Sequence, residues 1–179
     1  QPEFAESGTV LALDSKSIRP HGVEPSGERV TQSFHDSGLA AKGRVRKNDV
    51  LLNSTGRGTL GRAGCYQFDA PAVCDNHVAI LRPDPKVCHP RYLALFLNSP
   101  AGLTQSEQFQ SGSSGLLEIY PQHIQEFLVF LPGTKGGAID MVWQEKLSAK
   151  VETATRAREE AQCKIAEAKR PVEDALSAR

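Results

Sequence analysis

No stretch of this chain is apolar for long enough to cross a membrane. Its apolar runs are short, such as Val50-Leu51-Leu52, where a span needs about 20 residues. The N-terminus lacks the basic-then-apolar pattern of a signal peptide, so a cytoplasmic protein is expected. It opens on Gln1 rather than Met, as a processed or excised piece would. Cysteine is sparse. Cys65, Cys74, Cys88 and Cys163 match no dense disulfide framework and are expected as reduced thiols. An excess of charge is missing too, since 21 Lys and Arg balance 21 Asp and Glu. That excludes a bulk polycation, but not a local surface for nucleic acid. Paired carboxylates, an acidic-and-lysine nuclease cluster and a cofactor-binding methyltransferase motif are also lacking. No catalytic residue, cofactor or metal is therefore assigned.

What is present is ordinary in bulk: 39% hydrophobic and 23% charged residues, as in a soluble globular protein. A length of 179 residues suits one globular domain with an appendage. The composition shifts near residue 139. Before it lie nearly all the Gly and Pro and most aromatics; after it Ala, Glu, Lys, Arg and Gln dominate. The expected division is a globular domain over 1–132, a linker over 133–138 and a helix over 139–179. The linker carries Pro132-Gly133-Thr134-Lys135-Gly136-Gly137, which holds regular structure poorly. The expected fold class is α+β, a strand-rich domain followed by a long helix.

Within the domain, Gly8 to Leu13, Asp49 to Asn53, Gly64 to Phe68 and His77 to Leu81 read as short strands. Pro90 fits the first turn of a helix that ends before Pro100. Pro121 to Gln125 reads as a shorter helix leading into a strand, Phe127-Leu128-Val129-Phe130-Leu131. In the C-terminal helix, apolar or small residues recur at Leu147, Val151, Ala154, Ala161, Ile165, Ala168, Val172 and Ala175, with Arg158 in one expected slot. Steps of four and three make this a heptad seam, weakened by alanine. It is expected to need a partner helix. The plainer alternative is a solvated helix held by charge pairs such as Glu160–Lys164. Pro171 is expected to kink or end it.

The most unusual segment runs from Leu52 to Gly64 and alternates Gly with Ser, Thr and Arg. Glycine lets backbone approach a ligand, hydroxyls suit phosphate oxygens, and arginine forks onto phosphate or a guanine edge. Residues 42–62 carry six basic side chains against Asp49 alone, a local charge of +5. Thr55, Arg57, Thr59 and Arg62 are DNA-contact candidates, with Arg44 and Arg46 as phosphate contacts. The alternative is a glycine-rich hairpin with solvated arginines. A Walker loop does not fit, because its Gly-Lys-Ser/Thr ending is absent. A second polar loop, Gln105 to Gly115, offers Ser111, Ser113 and Ser114, or is simply a flexible surface loop. Cys74-Asp75-Asn76-His77 invites a zinc or Cys–His nucleophile reading, but no Cys-x-x-Cys pair supports zinc. Asn76 and His77 as DNA-facing polar side chains fit better.

Taken in order, these pieces resemble the specificity subunit of type I restriction–modification systems. Lys47 to Gly56 looks like the family's Gly-Asp-Ile-Leu strand and Thr-Gly loop, with Asn48 where Gly is usual. Leu60-Gly61-Arg62-Ala63 looks like the next strand entry, and Cys74 to Pro83 like the strand ending in Arg-Pro. Tyr92 to Ser99 looks like the tyrosine–leucine helix, and Ile119 to Pro132 like the short helix and strand ending in Leu-Pro. The likeness covers residues 43–178. The Pro-rich motif that usually follows is replaced by Gly133 to Gly137. The resemblance implies a non-catalytic subunit that reads one half of a split site in double-stranded DNA. Its spacer helix would dock methyltransferase subunits, with a restriction subunit as a further partner. One recognition domain and one helix would make a half-subunit acting as a homodimer on a symmetric, interrupted site, or a fragment of a longer protein. The different-class alternative is a protein-interaction adaptor that dimerises through its helix.

Overall fold

The computed structural model describes residues 8–112 and 117–177. The elements run β1 (Val10–Leu13), β2 (Ile18–Arg19), β3 (Gly22–Val23), β4 (Arg29–Val30), α1 (Gln32–Asp36), β5 (Arg44–Val45), β6 (Val50–Asn53), β7 (Ala63–Cys65), β8 (Ala72–Cys74), β9 (Val78–Leu81), α2 (Pro90–Leu97), α3 (Pro100–Phe109), α4 (Pro121–Ile124) and α5 (Met141–Ser177). The fold is α+β. One sheet has the order β4-β1-β8-β5, with β1 and β8 parallel. A second, β7-β6-β9, is antiparallel throughout, and β2-β3 form a separate hairpin.

The apolar runs form strands because both faces of each are covered. Side chains alternate across a strand, so Leu51 enters one core cluster with Leu11, Leu13, Ile18, Val23, Tyr66 and Val78. Val50 and Leu52 point the other way, toward Tyr92, Leu93 and Leu97 of α2. On β1, Val10 and Ala12 turn outward to pack with Val30, Ala40 and Val73. Each such Val or Leu contributes about 1.5–3 kcal/mol on burial. The α2 helix begins as its sequence predicts. Pro90 occupies the first turn, and the His89 side chain accepts the Arg91 N–H.

Two expectations are corrected. The first is the strand over Phe127 to Leu131. This segment alternates in burial, with Leu128 80% and Phe130 63% exposed, but among the described residues it pairs with no strand. Side chains occupy the place of a neighbour. The Gln105 amide accepts from Leu128 N–H at 2.7 Å and donates to Leu128 O at 3.1 Å, and Tyr92 Oη donates to Phe130 O at 2.6 Å. The second is the polar loop from Gln105, whose first half lies in α3. Ser99 caps that helix and Pro100 starts it. Gly102 lets it turn closely against the Phe96 and Leu97 backbone, where a Cβ would collide.

Residues 133–138 form a hydrogen-bonded turn: Thr134 N–H donates to Ala138 O (2.7 Å) and Asp140 N–H to Pro132 O (2.7 Å). The Asp140 carboxylate then accepts the Trp143 N–H, starting α5. The first turns of α5 pack on the domain. Gln144 and Ser148 are buried, and Leu147 joins the cluster around α2. Val151 is half-buried, and Thr155 Oγ1 reaches the His21 carbonyl at 3.0 Å. Ala154, Ala161, Ile165, Ala168 and Val172 are exposed. The upper end of the heptad seam thus rests on the chain's own domain. Pro171 does not end the helix, which continues to Ser177; its missing N–H removes one bond in a solvated stretch.

The α2–α5 junction carries a pH dependence. His89 Nδ1 is hydrogen-bonded to both the Arg91 N–H and the Ser148 hydroxyl (2.9 Å). Burial, followed by the Arg91 cation, lowers its pKa below the ordinary histidine value. A depressed folded pKa means stability is complete above the unfolded value of about 6.5 and is lost as pH falls through the folded one. The melting temperature should therefore drop on going from about pH 7 to pH 5, and drop less in His89→Asn, which retains a cap. Parallel slopes in the two proteins would show that His89 does not titrate with folding.

Candidate nucleic-acid interface

The loop after β6 closes on itself. Asn53 N–H donates to Arg62 O and Asn53 O accepts from Gly61 N–H, each at 2.9 Å. Gly56, Gly58 and Gly61 have φ of 101°, 81° and 80°, conformations that side chains resist. Gly61 also needs to be glycine for space, since a Cβ there would lie 2.7 Å from Ser106 on α3. Buried Asn53 anchors the base of the loop by donating from Nδ2 to Ser15 O at 2.8 Å.

Two further loops are bonded onto this one. Ser54 donates to the His77 carbonyl from both its N–H (2.9 Å) and its hydroxyl (3.0 Å). The His77 N–H donates to Asp75 Oδ1 at 3.0 Å, a turn closed by the aspartate's own side chain. Thr55 Oγ1 lies 2.7 Å from His77 Nδ1. On the other side, Ile119 N–H donates to Ser54 O (2.7 Å) and Gly56 N–H to Leu117 O (3.1 Å). Ser111 and Glu118 exchange two backbone bonds of 2.8 and 2.9 Å. Segments far apart in sequence thus form one platform at the Asn53 end of the three-stranded sheet.

The structure therefore brings together Thr55, Arg57, Thr59, Arg62, Asn76 and Ser111. Ser113 and Ser114 lie outside the described residues. Arg57 and Asn76 are exposed. Arg62 is half-buried and donates to Gly58 O at 2.8 Å, and Thr59 Oγ1 donates to Thr55 O at 3.1 Å. Thr55 is 7% exposed, with its hydroxyl directed at His77. Arg44 and Arg46 are not part of this group. They precede β6, whose Val50 end pairs with Cys65 and Leu81, whereas Asn53 pairs with Val78 beside the platform. The +5 stretch is thereby divided between the two ends of a strand. The Arg44 guanidinium is half-buried and donates to the His35 carbonyl at 2.6 Å and the Ser37 carbonyl at 2.8 Å. Arg46 remains exposed, and Lys47 pairs with Asp69 at 2.8 Å. Sequence reasoning missed the hubs of the platform, Ser54, Asp75 and Glu118. Only Asp75-Asn76, a turn-forming pair, carried a local signal.

The Cys74–His77 pairing is not formed. Cys74 Sγ faces the Val78 carbonyl, and burial pushes its thiol up to about 12. His77 turns to Thr55 instead. Cys65 is likewise pushed up to about 11 by burial. Thiols held neutral in this way are poor nucleophiles at neutral pH. Burial also raises Asp75 above the usual carboxylate range, opposed by the His77 N–H bond. Among the described residues no three His, Cys, Asp or Glu side chains converge as metal ligands. No helix among them is long and apolar enough to cross a membrane.

No protein-family model matches the chain, and no curated protein matches it. Among solved structures, it is similar to a type I restriction–modification system S subunit from M. genitalium, with a TM-score of 0.40 and 16% sequence identity. The match covers 66% of this chain and 26% of that one, so the chain spans about a quarter of that subunit's length.

Proposed function

We propose that this chain reads a short sequence in duplex DNA, as one recognition domain with its spacer helix from a type I restriction–modification specificity subunit. The observation that carries the reading is the three-loop platform, which sets exposed Arg57, Asn76 and His77 on loops held by backbone bonds at one end of a sheet. Rigid loops bearing polar side chains suit base edges, and arginine suits phosphate or guanine. The ordered sequence segments that resemble the family agree with it. Ser111, Thr59 and Arg62 belong to the same proposed surface, Arg46 to a separate phosphate contact, and Ser113 and Ser114 are proposed as DNA contacts on their sequence alone. The exposed half of α5, with Ala161, Ile165, Ala168 and Val172, would dock methyltransferase subunits or the helix of a second copy. A restriction subunit would join that complex in the cytoplasm. The chain itself performs no chemistry in this reading.

The test is retention of duplexes from a randomised library at low and moderate salt. A selected subset should survive at moderate salt. Arg57→Ala should weaken binding of that subset at least tenfold at fixed salt, about 1.4 kcal/mol, the scale of one arginine–base contact. Unchanged affinity would remove Arg57 from the interface. A second reading, a protein-interaction adaptor, is favoured by the exposure of Leu128 and Phe130 and by the bare apolar positions of α5. It predicts retention of no duplex at either salt.

A further inference from the structure

His77 is the most constrained exposed side chain of the platform. Its N–H is held by Asp75 Oδ1, its carbonyl by two donors of Ser54, and its ring by Thr55. Ring order on an exposed loop has a cost in conformational entropy, and a pre-ordered group loses less when it meets a ligand. The direction of the Thr55–His77 bond follows from burial. Among the described residues Nδ1 is the one side-chain partner of the Thr55 hydroxyl, in a residue 7% exposed. Were Nδ1–H to donate, the hydroxyl hydrogen would be left buried without an acceptor, which is the costlier arrangement. In the arrangement that this burial favours, the hydroxyl donates, Nδ1 carries no proton and the ring hydrogen sits on Nε2, the nitrogen away from Thr55.

We propose that Thr55 is a positioning residue that fixes the tautomer of His77, and that His77 Nε2–H is a recognition donor for an acceptor on duplex DNA. This rests on the DNA-reading function proposed above. Two acceptors share the chemistry: a phosphate oxygen, and the O6/N7 edge of guanine. Asp75 contributes by holding the His77 backbone, so the ring projects from a closed turn rather than a free loop.

The experiment combines nitrogen NMR on the free chain with library selection on the wild type, Thr55→Val and His77→Ala. The wild-type ring should show an unprotonated Nδ1 and a protonated Nε2, and Thr55→Val should mix the two tautomers. His77→Ala should weaken binding about three- to tenfold, the scale of one hydrogen bond, and Thr55→Val should weaken it less. A loss confined to one base position assigns the acceptor to a base edge; a uniform loss across sequences assigns it to a phosphate. His77→Ala changes an exposed side chain, so its fold should persist even if Thr55→Val does not fold. A proton on Nδ1 in the wild type, or wild-type affinity and preference in His77→Ala, would overturn the proposal alone. A wild-type chain that retains no duplex would overturn the DNA reading and the proposal with it.

Discussion

Gly64→Ala should destabilise the domain by about 3 kcal/mol, at the upper end of the cost of overpacking a core. Gly64 lies in β7 opposite Leu51, where the β2–β3 hairpin crosses over it. A Cβ at this position would collide with the Gly22 carbonyl oxygen, 2.9 Å from its carbon and 3.2 Å from Val23 Cγ2. The first two obstacles are backbone, which no rotamer change relieves. Nor can the hairpin back away cheaply. Ile18 and Val23 are buried in the cluster with Leu51 and Tyr66, and the His21 carbonyl accepts the Thr155 hydroxyl of α5. Urea unfolding followed by far-UV dichroism should show a lower midpoint with the same slope. A loss under about 1 kcal/mol would mean that the hairpin slides on β7 without resistance.

The same contrast between backbone contacts and residue type explains how much was legible in the sequence. β1, β6, β9 and α2 were legible because apolar runs lay between turn residues and Pro90 marked a helix start. The α3 helix was not. Its Gln105 and Ser106 look like loop residues, but Gln105 holds the Leu128 backbone and Ser106 packs under Gly61. The stretch from Phe127 to Leu131 shows the converse: its apolar run was read as a strand, but among the described residues it has no strand to pair with. Glycine, threonine and arginine pointed to the 54–62 loop, because a backbone forced into left-handed turns leaves a residue-level trace. The joining of that loop to the Leu117–Ile119 segment leaves none, since backbone bonds make it and any residue can form them. Arg44 makes a related point. Charge is visible in a sequence, but the two carbonyls that engage its guanidinium are not.

Gln144→Leu should also cost about 3 kcal/mol, through a different route and with a different consequence for function. Gln144 is fully buried at the root of α5. Its Oε1 accepts the His89 N–H at 2.8 Å, and its Nε2 donates to the Val87 carbonyl at 3.2 Å. Leucine fills nearly the same volume, so packing is kept while two part-buried backbone groups lose their partners, at about 1–3 kcal/mol each. The damage is confined to the junction of α5 with the α2 start. Among the described residues the platform at the Asn53 end of β6 makes no hydrogen bond to α5. Hydrogen exchange of the His89 amide should therefore accelerate, while amides at Ser54 and Gly56 stay protected. If α5 sets the distance between two recognition domains, the variant should keep its affinity for a single half-site. It should lose its preference for one spacing when two half-sites are offered on the same duplex. Equal loss on single and paired half-sites would mean instead that the helix root supports the reading loops themselves.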